Sequence, residues 1–321
     1  MSNNVKEGIL LVGLGYMGKE YHKVLQAMGI DYTAVGRSEA GCRAFSEATG
    51  HSAFAGGLDR YIEENGMPYN KAILAVQAEY GSECAVKLIN SGIKELLVEK
   101  PCGLDNAQAD AIIQAAESHG AKVVIAYNRR FYAATLAAEQ IIKEDGGVVS
   151  MKFDFTEKGF RDEESIDGLL IGNSTHVMDL AFWLAGEPAE LLALNNIEKK
   201  GSSLRVEFAG AGRTVKEALF SYAANWKAPG RWSVEVMTPK HRLIFSPMEK
   251  LQIQDTGSFA VREEKIDDAL DVRFKPGIYK EVEMFLGNID NERLLTIQKQ
   301  RKHFEYYFAI AHGREWKREG E

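Results

Sequence analysis

The apolar run Gly8-Ile9-Leu10-Leu11-Val12 is followed at once by Gly13-Leu14-Gly15-Tyr16-Met17-Gly18, and then by Tyr21, Val24, Leu25 and Met28 at helical spacing. A buried strand that turns through three glycines into an amphipathic helix is the opening of a βαβ unit. Gly13 allows the tight turn, Gly15 lets an anionic group approach the backbone, and Gly18 lets helix and strand pack closely. Exposed N–H groups and the positive end of the helix then favour phosphate. Gly13, Gly15 and Gly18, with Tyr16 and Met17 between them, are therefore expected to hold the pyrophosphate of a dinucleotide.

The alternation continues. Strands are predicted over 32–35, 71–76, 95–98 and 122–126, with helices over 39–49, 80–91 and from Asp105 through Ser118. The last helix opens with Asp105 and, three residues on, Gln108, a capping-box pattern. This is a doubly wound parallel sheet of Rossmann type, expected to span residues 1–127. The second strand ends in Gly36-Arg37-Ser38, where an NAD-binding domain usually carries an acid for the ribose 2′-hydroxyl. Arg37 can instead neutralise a 2′-phosphate with Ser38 as donor, which favours NADP, while nearby Glu39 keeps NAD open. Ligands in such sheets bind beyond the carboxyl ends of the strands, so Val76 and the sequence Glu99-Lys100-Pro101 should face the cofactor. Lys100 is the first catalytic candidate.

A chain of 321 residues exceeds what one core supports, so a second domain is expected over 128–321. A net charge of −7 and a pI near 5.7 argue against nucleic acid as partner. Cys42, Cys84 and Cys102 are odd in number and include no C-x-x-C pair, and the histidines lack metal-ligand spacing, so neither disulfides nor a metal are expected. Apolar runs are too short for a leader or a membrane span, which implies a soluble, cytoplasmic protein.

In the second domain Val149, Met151, Phe153 and Phe155 alternate with polar residues, and Leu204, Val206, Phe208 and Trp232, Val234, Val236 repeat that period of two. Pro229-Gly230 is expected to join two of these strands as a hairpin. The result is an α/β domain built on a large, mostly antiparallel open sheet, with one face left for solvent or for a second subunit in a homo-oligomer. Helices are predicted over 277–288 and 292–311, and the charged end 314–321 is expected to fray.

Three stretches of this region can carry chemistry. At the end of the last Rossmann strand, Asn128 can position a substrate hydroxyl and Arg130 can hold an anionic group. Further on, Val177, Leu180, Ala181 and Leu184 form a helical stripe with His176 at its margin and Asn173 and Asp179, both candidates to bind substrate, a turn to either side. A histidine with its ordinary pKa of about 6.5 suits proton exchange with a hydroxyl near neutrality. A lysine, ordinarily titrating near 10.4, is better suited to polarising a carbonyl. Proton transfer is therefore assigned to His176 and polarisation to Lys100, with the roles exchangeable. Trp226, Lys227, Arg231 and Trp232 offer a sugar-stacking face, and Lys275-Pro276-Gly277 a loop returning to the cleft.

In this combination and order, the glycine turn, Glu99-Lys100-Pro101, the segment 128–131 and the helix bearing His176 and Asp179 resemble the glucose-fructose oxidoreductase, inositol dehydrogenase and rhizopine-catabolism family (Gfo/Idh/MocA) over nearly the whole chain. The resemblance implies a Rossmann domain followed by an open-sheet domain often used for oligomerisation. It also implies NAD(P)-dependent conversion of sugars, cyclitols or nucleotide sugars, with Lys100 essential and His176 in acid/base work. Two departures stand out. Gly172 occupies the place where many members carry an aspartate four residues before the histidine, and Asn173, one place on, can orient a substrate but not accept a proton. Gln77-Ala78-Glu79-Tyr80 stands where many members have a Pro or His soon after the strand ending at Val76. The other readings are a non-catalytic dinucleotide sensor, which would be expected to lose the lysine or histidine, and an imine or amino-acid reductase.

Overall fold

The computed structural model describes residues 6–157, 165–200 and 203–319. Its internal contacts group the chain into two units, Met1–Asn128 with Leu270–Arg301, and Arg129–Ala269 with Lys302–Glu321. The linear division expected at 127/128 thus omits a return of the chain to the first unit.

The first unit holds a seven-stranded sheet made of β1 (Ile9–Val12), β2 (Tyr32–Gly36), β3 (Ala53–Ala55), β4 (Lys71–Leu74), β5 (Glu95–Glu99), β6 (Lys122–Ala126) and β15 (Leu295–Thr296), in the order β15-β6-β5-β4-β1-β2-β3. Strands β1 to β6 pair in parallel. The middle ones are apolar along their length because helices cover both faces. Those helices are α1 (Tyr16–Met28), α2 (Glu39–Thr49), α3 (Gly57–Asn65), α4 (Ala78–Asn90) and α5 (Asn106–His119). Asp105 Oδ1 accepts from Gln108 N at 2.8 Å as the capping pattern requires, and Gln108 Oε1 accepts in return from Leu104 N at 3.1 Å.

The returning segment brings α10 (Ile278–Gly287), whose Ile278, Val282 and Phe285 are fully buried, and then β15. The expectation of a helix from residue 292 is corrected here. Leu295 and Thr296 are extended and pair antiparallel with Ile125 and Val124, covering the open edge of β6, and helix α11 begins only at Ile297 and runs to His312.

The second unit is built on a nine-stranded sheet, in the order β14-β13-β12-β11-β7-β10-β9-β8-β16. Its strands are β7 (Ser150–Asp154), β8 (Pro188–Lys200), β9 (Ser203–Thr214), β10 (Leu219–Trp226), β11 (Ser233–Met237), β12 (His241–Phe245), β13 (Gln252–Asp255), β14 (Val261–Glu263) and β16 (Glu315–Lys317). All neighbours are antiparallel except β7 and β10. Helices α6 (Ala133–Asp145), α7 (Ile166–Leu169) and α8 (Thr175–Ala185) precede most of the sheet; the short α9 (Ala269–Arg273) opens the segment that returns to the first unit. Met151, Phe153, Phe220, Tyr222, Val234 and Val236 are buried on the inner face, where Phe182 of α8 meets Phe153 and Phe220 edge to face. Val206 and Phe208 are buried as their alternation predicts; the Leu204 side chain lies outside the described part.

Three expectations are corrected in this unit. Pro229-Gly230 does not close a hairpin, because β7 lies between β10 and β11 and pairs with both. The connection instead crosses the end of β7, with Lys227 N donating to Glu157 O at 2.7 Å and Gly230 set so closely on Thr156 that a Cβ would collide. The end of the chain does not simply fray, since Glu315, Trp316 and Lys317 pair with Leu192, Leu191 and Glu190 at the sheet edge; residues 320 and 321 lie outside the described part. Finally, α8 has no apolar stripe with a polar margin: Thr175 to Phe182 are all buried, His176 included.

Candidate functional site

In the first unit the groove begins at the glycine turn. Gly13 has φ +98°, a left-handed value natural only to glycine, and its face lies against the Ala75 carbonyl. Gly15 has nothing within 4 Å of where a Cβ would stand, so the backbone there is open to an approaching group. It caps α1 without a side-chain hydrogen bond, and the first turn of α1 carries no acid, so the helix N–H groups stay available to phosphate. Met17 is half-buried in that first turn and Gly18 is buried against the Gly13 carbonyl.

A cavity of about 710 Å³ opens from this turn and is lined by Gly15, Tyr16, Arg37, Gly57, Val76 and Tyr80 among others. Its size, the bare backbone at Gly15 and the unshielded helix end fit a dinucleotide. The Arg37 guanidinium lies over the Tyr80 ring, 5.3 Å from its centroid, which gives that cation a fixed place in the groove. Ser38 Oγ accepts from Gly41 N at 3.1 Å as the N-cap of α2, and Ser38 is absent from the lining.

At the end of β5 stand Glu99 and Lys100, and the Lys100–Pro101 peptide is cis. Tyr21, fully buried in α1, donates to Glu99 Oε1 at 2.7 Å. Burial raises the Glu99 carboxyl above the ordinary range, against the opposing pull of the Tyr21 hydrogen bond and the positive charges of Lys100 and Lys275. Asn128 is buried and its Nδ2 donates to Pro276 O at 2.9 Å, so this residue anchors the returning loop. Next to Pro276, Lys275 holds its ammonium 5.4 Å from the centre of the Tyr16 ring.

In the second unit, α7 runs through one wide π turn, Leu170–Ser174, into α8. Such turns recur at functional sites because they re-aim the side chains that follow. Asn173 is exposed on this turn; its Nδ2 and Ser174 Oγ both donate to Glu157 Oε1, at 2.9 and 3.2 Å. His176 retains 8% exposure, with its ring 6.3 Å from that of Trp232, over which the Arg129 guanidinium lies at 4.9 Å. Arg130 and Asp179, both expected to touch substrate, are bound to each other: Nε to Oδ2 at 2.8 Å and Nη2 to Oδ1 at 2.5 Å, at 4% and 1% exposure. Trp183 flanks the Arg130 guanidinium at 4.6 Å. A desolvated, two-pronged pair of this kind fixes α8, and with it His176, relative to the start of the unit. Among the described residues no group of three or more His, Cys, Asp or Glu could hold a metal ion.

Residues 8–127 match the sequence model of the GFO_IDH_MocA group, described as an oxidoreductase family with an NAD-binding Rossmann fold. The N-terminal domain belongs to the Gfo/Idh/MocA family. Solved structures share the fold across nearly the whole chain. The NAD-binding oxidoreductase of Klebsiella pneumoniae gives a TM-score of 0.76 at 16% identity, over 99% of this chain and 100% of its own. The WlbA dehydrogenase of Chromobacterium violaceum, in complex with NADH and UDP-GlcNAcA, gives 0.74 at 15% identity, over 99% and 97%. Levoglucosan dehydrogenase, in complex with NADH and levoglucosan, gives 0.69 at 19% identity, over 96% and 90%. At these identities the likeness is one of fold. Comparison with curated protein sequences yields no match.

Within this Gfo/Idh/MocA domain several groove residues escape sequence reasoning. Gly56 and Gly57, both at positive φ, line the groove where the chain passes from β3 into α3, and the glycine pair itself was the available signal. Lys87 lines it too, its Nζ 2.6 Å from Asp59 Oδ1, a partnership that nothing local announces. Tyr21 falls on the apolar stripe of α1 and reads as core, although its hydroxyl serves Glu99.

Proposed function

We propose that this protein is an NAD(P)-dependent dehydrogenase interconverting a secondary alcohol and a ketone on a sugar, cyclitol or nucleotide sugar. The observation that carries the reading is a dinucleotide-sized groove opening on the bare backbone at Gly15, in an oxidoreductase-family domain that keeps Lys100 at the end of β5. The substrate class is taken from the fold relatives that bind NADH with UDP-GlcNAcA or levoglucosan. A bound nicotinamide would supply the hydride acceptor or donor. The turn at Gly13, Gly15 and Gly18 would hold the phosphates, with Tyr16, Met17, Val76 and Glu99 around the cofactor. NADP is favoured over NAD because Arg37 is held in the groove by Tyr80 and no acid stands at the end of β2.

Of the chain's own groups, Lys100 donates a hydrogen bond to the reacting oxygen and polarises it, while His176 exchanges the hydroxyl proton. Asn173 orients substrate, Asn128 sets the loop at Lys275, and Arg130 with Asp179 bears on substrate through the position of α8. The reading includes a cytoplasmic homo-oligomer. In its support, Leu192, Leu194 and Leu219 stand exposed on the outer face of β8 and β10, with Ala209 and Ala211 of β9 between them; no helix among the described residues is long and apolar enough to cross a membrane.

The deciding experiment loads the protein separately with NADP and NAD and follows nicotinamide reduction across a panel of sugars, cyclitols and nucleotide sugars. Reduction with one substrate class, lost in Lys100→Ala, is the expected result. Tight dinucleotide binding without turnover on any member, in either direction, transfers support to a sensor.

A further inference from the structure

We propose that Lys275 is a cofactor-binding residue whose ammonium engages the linking phosphates of the dinucleotide. The inference rests on the dinucleotide reading of the glycine turn and extends it to a residue outside the βαβ series, in the segment that returns to the first unit.

The base of Lys275 is rigid. Pro276 O accepts from Asn128 Nδ2, Gly277 N donates to Asp271 Oδ1 at 2.8 Å, and Gly277, at φ +78°, caps α10. Phe274 and Ile278 are buried on either side. From this base the side chain reaches Tyr16, the first residue of α1 and the neighbour of Gly15. Tyr16 is itself 67% exposed and lines the groove, so the ammonium is held at the mouth of the phosphate turn by a contact that is weak in water.

The same charge acts on Glu99 at the end of β5, as does that of Lys100. Lys275 therefore bears on both points that a dinucleotide must join: the turn that takes its pyrophosphate and the strand end that its nicotinamide faces. The first turn of α1 offers that pyrophosphate its N–H groups and carries no acid. A charge-assisted hydrogen bond to phosphate is stronger than a cation on an exposed ring, so exchanging Tyr16 for phosphate is downhill for Lys275.

The test is calorimetric titration of the full chain, wild type, Lys275→Met and Lys275→Arg, with NADPH, NADH, ADP and 5′-AMP. Loss of one charged phosphate contact should weaken NADPH, NADH and ADP by about tenfold in Lys275→Met. Binding of 5′-AMP, which lacks the second phosphate, should change far less, and Lys275→Arg should keep the wild-type affinities. If methionine lowers the melting temperature enough to prevent titration, Lys275→Gln takes its place. Unchanged ADP and dinucleotide affinity in the uncharged variant overturns the inference and leaves the dinucleotide reading intact. Equal losses for 5′-AMP and ADP also overturn it, since they report a disturbed loop. Failure of the wild-type chain to bind either dinucleotide overturns the reading beneath it.

Discussion

The roles proposed for Lys100 and for the three glycines are separable, and single substitutions can separate them. On the proposed binding of the phosphates to backbone at the glycine turn, Lys100→Ala should abolish turnover while dinucleotide affinity, read by fluorescence titration, stays within about threefold of wild type. A parallel loss of binding would return Lys100 to the cofactor alone. His176→Ala should slow the chemical step and remove a pH dependence near neutrality from single-turnover rates; an unaltered profile would make the residue structural. The turn, Lys100 and His176 are legible in sequence because each is marked by residues a few positions away. Arg130 and Asp179 are legible as polar residues in useful places, but their attachment to each other is not, since 49 positions separate them. Lys275 and Tyr21 fall to the same limit, being brought to Tyr16 and Glu99 by packing of α10 and α1 rather than by any local pattern.

Elements were legible where a period of two or 3.6 ran long enough to register, as in the strands and helices around the groove and in β7 and β11. The three-residue β3 is too short for any period, and α3 after it begins on glycine. The hairpin expected at Pro229-Gly230 failed because a turn signal specifies a reversal but not which strand fills the space between. In α8, whose burial erased the expected stripe, Asp179 is 1% exposed and paired with Arg130. Removing one member of a buried pair leaves the other charge uncompensated, so Arg130→Met should cost about 3–5 kcal/mol in urea unfolding. The double substitution Arg130→Met with Asp179→Leu should recover part of that loss, and a cycle showing no coupling would deny the pair its role in fixing α8.

At the scale of the whole molecule, ties between distant parts of the chain set its response to acid and to association. Glu187, just before β8, accepts from His303 Nε2 at 3.1 Å and pairs with Arg318 beyond β16. The His303 hydrogen bond, helped by Arg318 and opposed by burial, holds the Glu187 carboxyl down at about 2. A folded pKa below the unfolded one of about 4.3 gives stability that is present above that value and is lost as pH falls toward 2. The melting-temperature gap between wild type and Glu187→Gln should accordingly be full at pH 6 and narrow steadily below about pH 4.5; a constant gap would refute it. On the outer sheet face, Leu194→Asp should reduce the sedimenting mass to that of one chain if a second copy covers that surface.

The return of residues 270–301 to the first sheet also bears on how the protein is made. Strand β6 leaves the ribosome with its outer edge bare, and its partner β15 follows only after residues 129–269 of the second unit have been synthesised. At translation rates of about 5–20 residues per second, that edge waits roughly 10–30 s for its cover. For that interval the nascent chain carries one unpaired strand edge and the apolar surface of α1 against which α10 will close. A fragment ending at residue 127 would remain in that state indefinitely, so the dinucleotide-binding half is expressed to best effect with its own late-arriving edge attached.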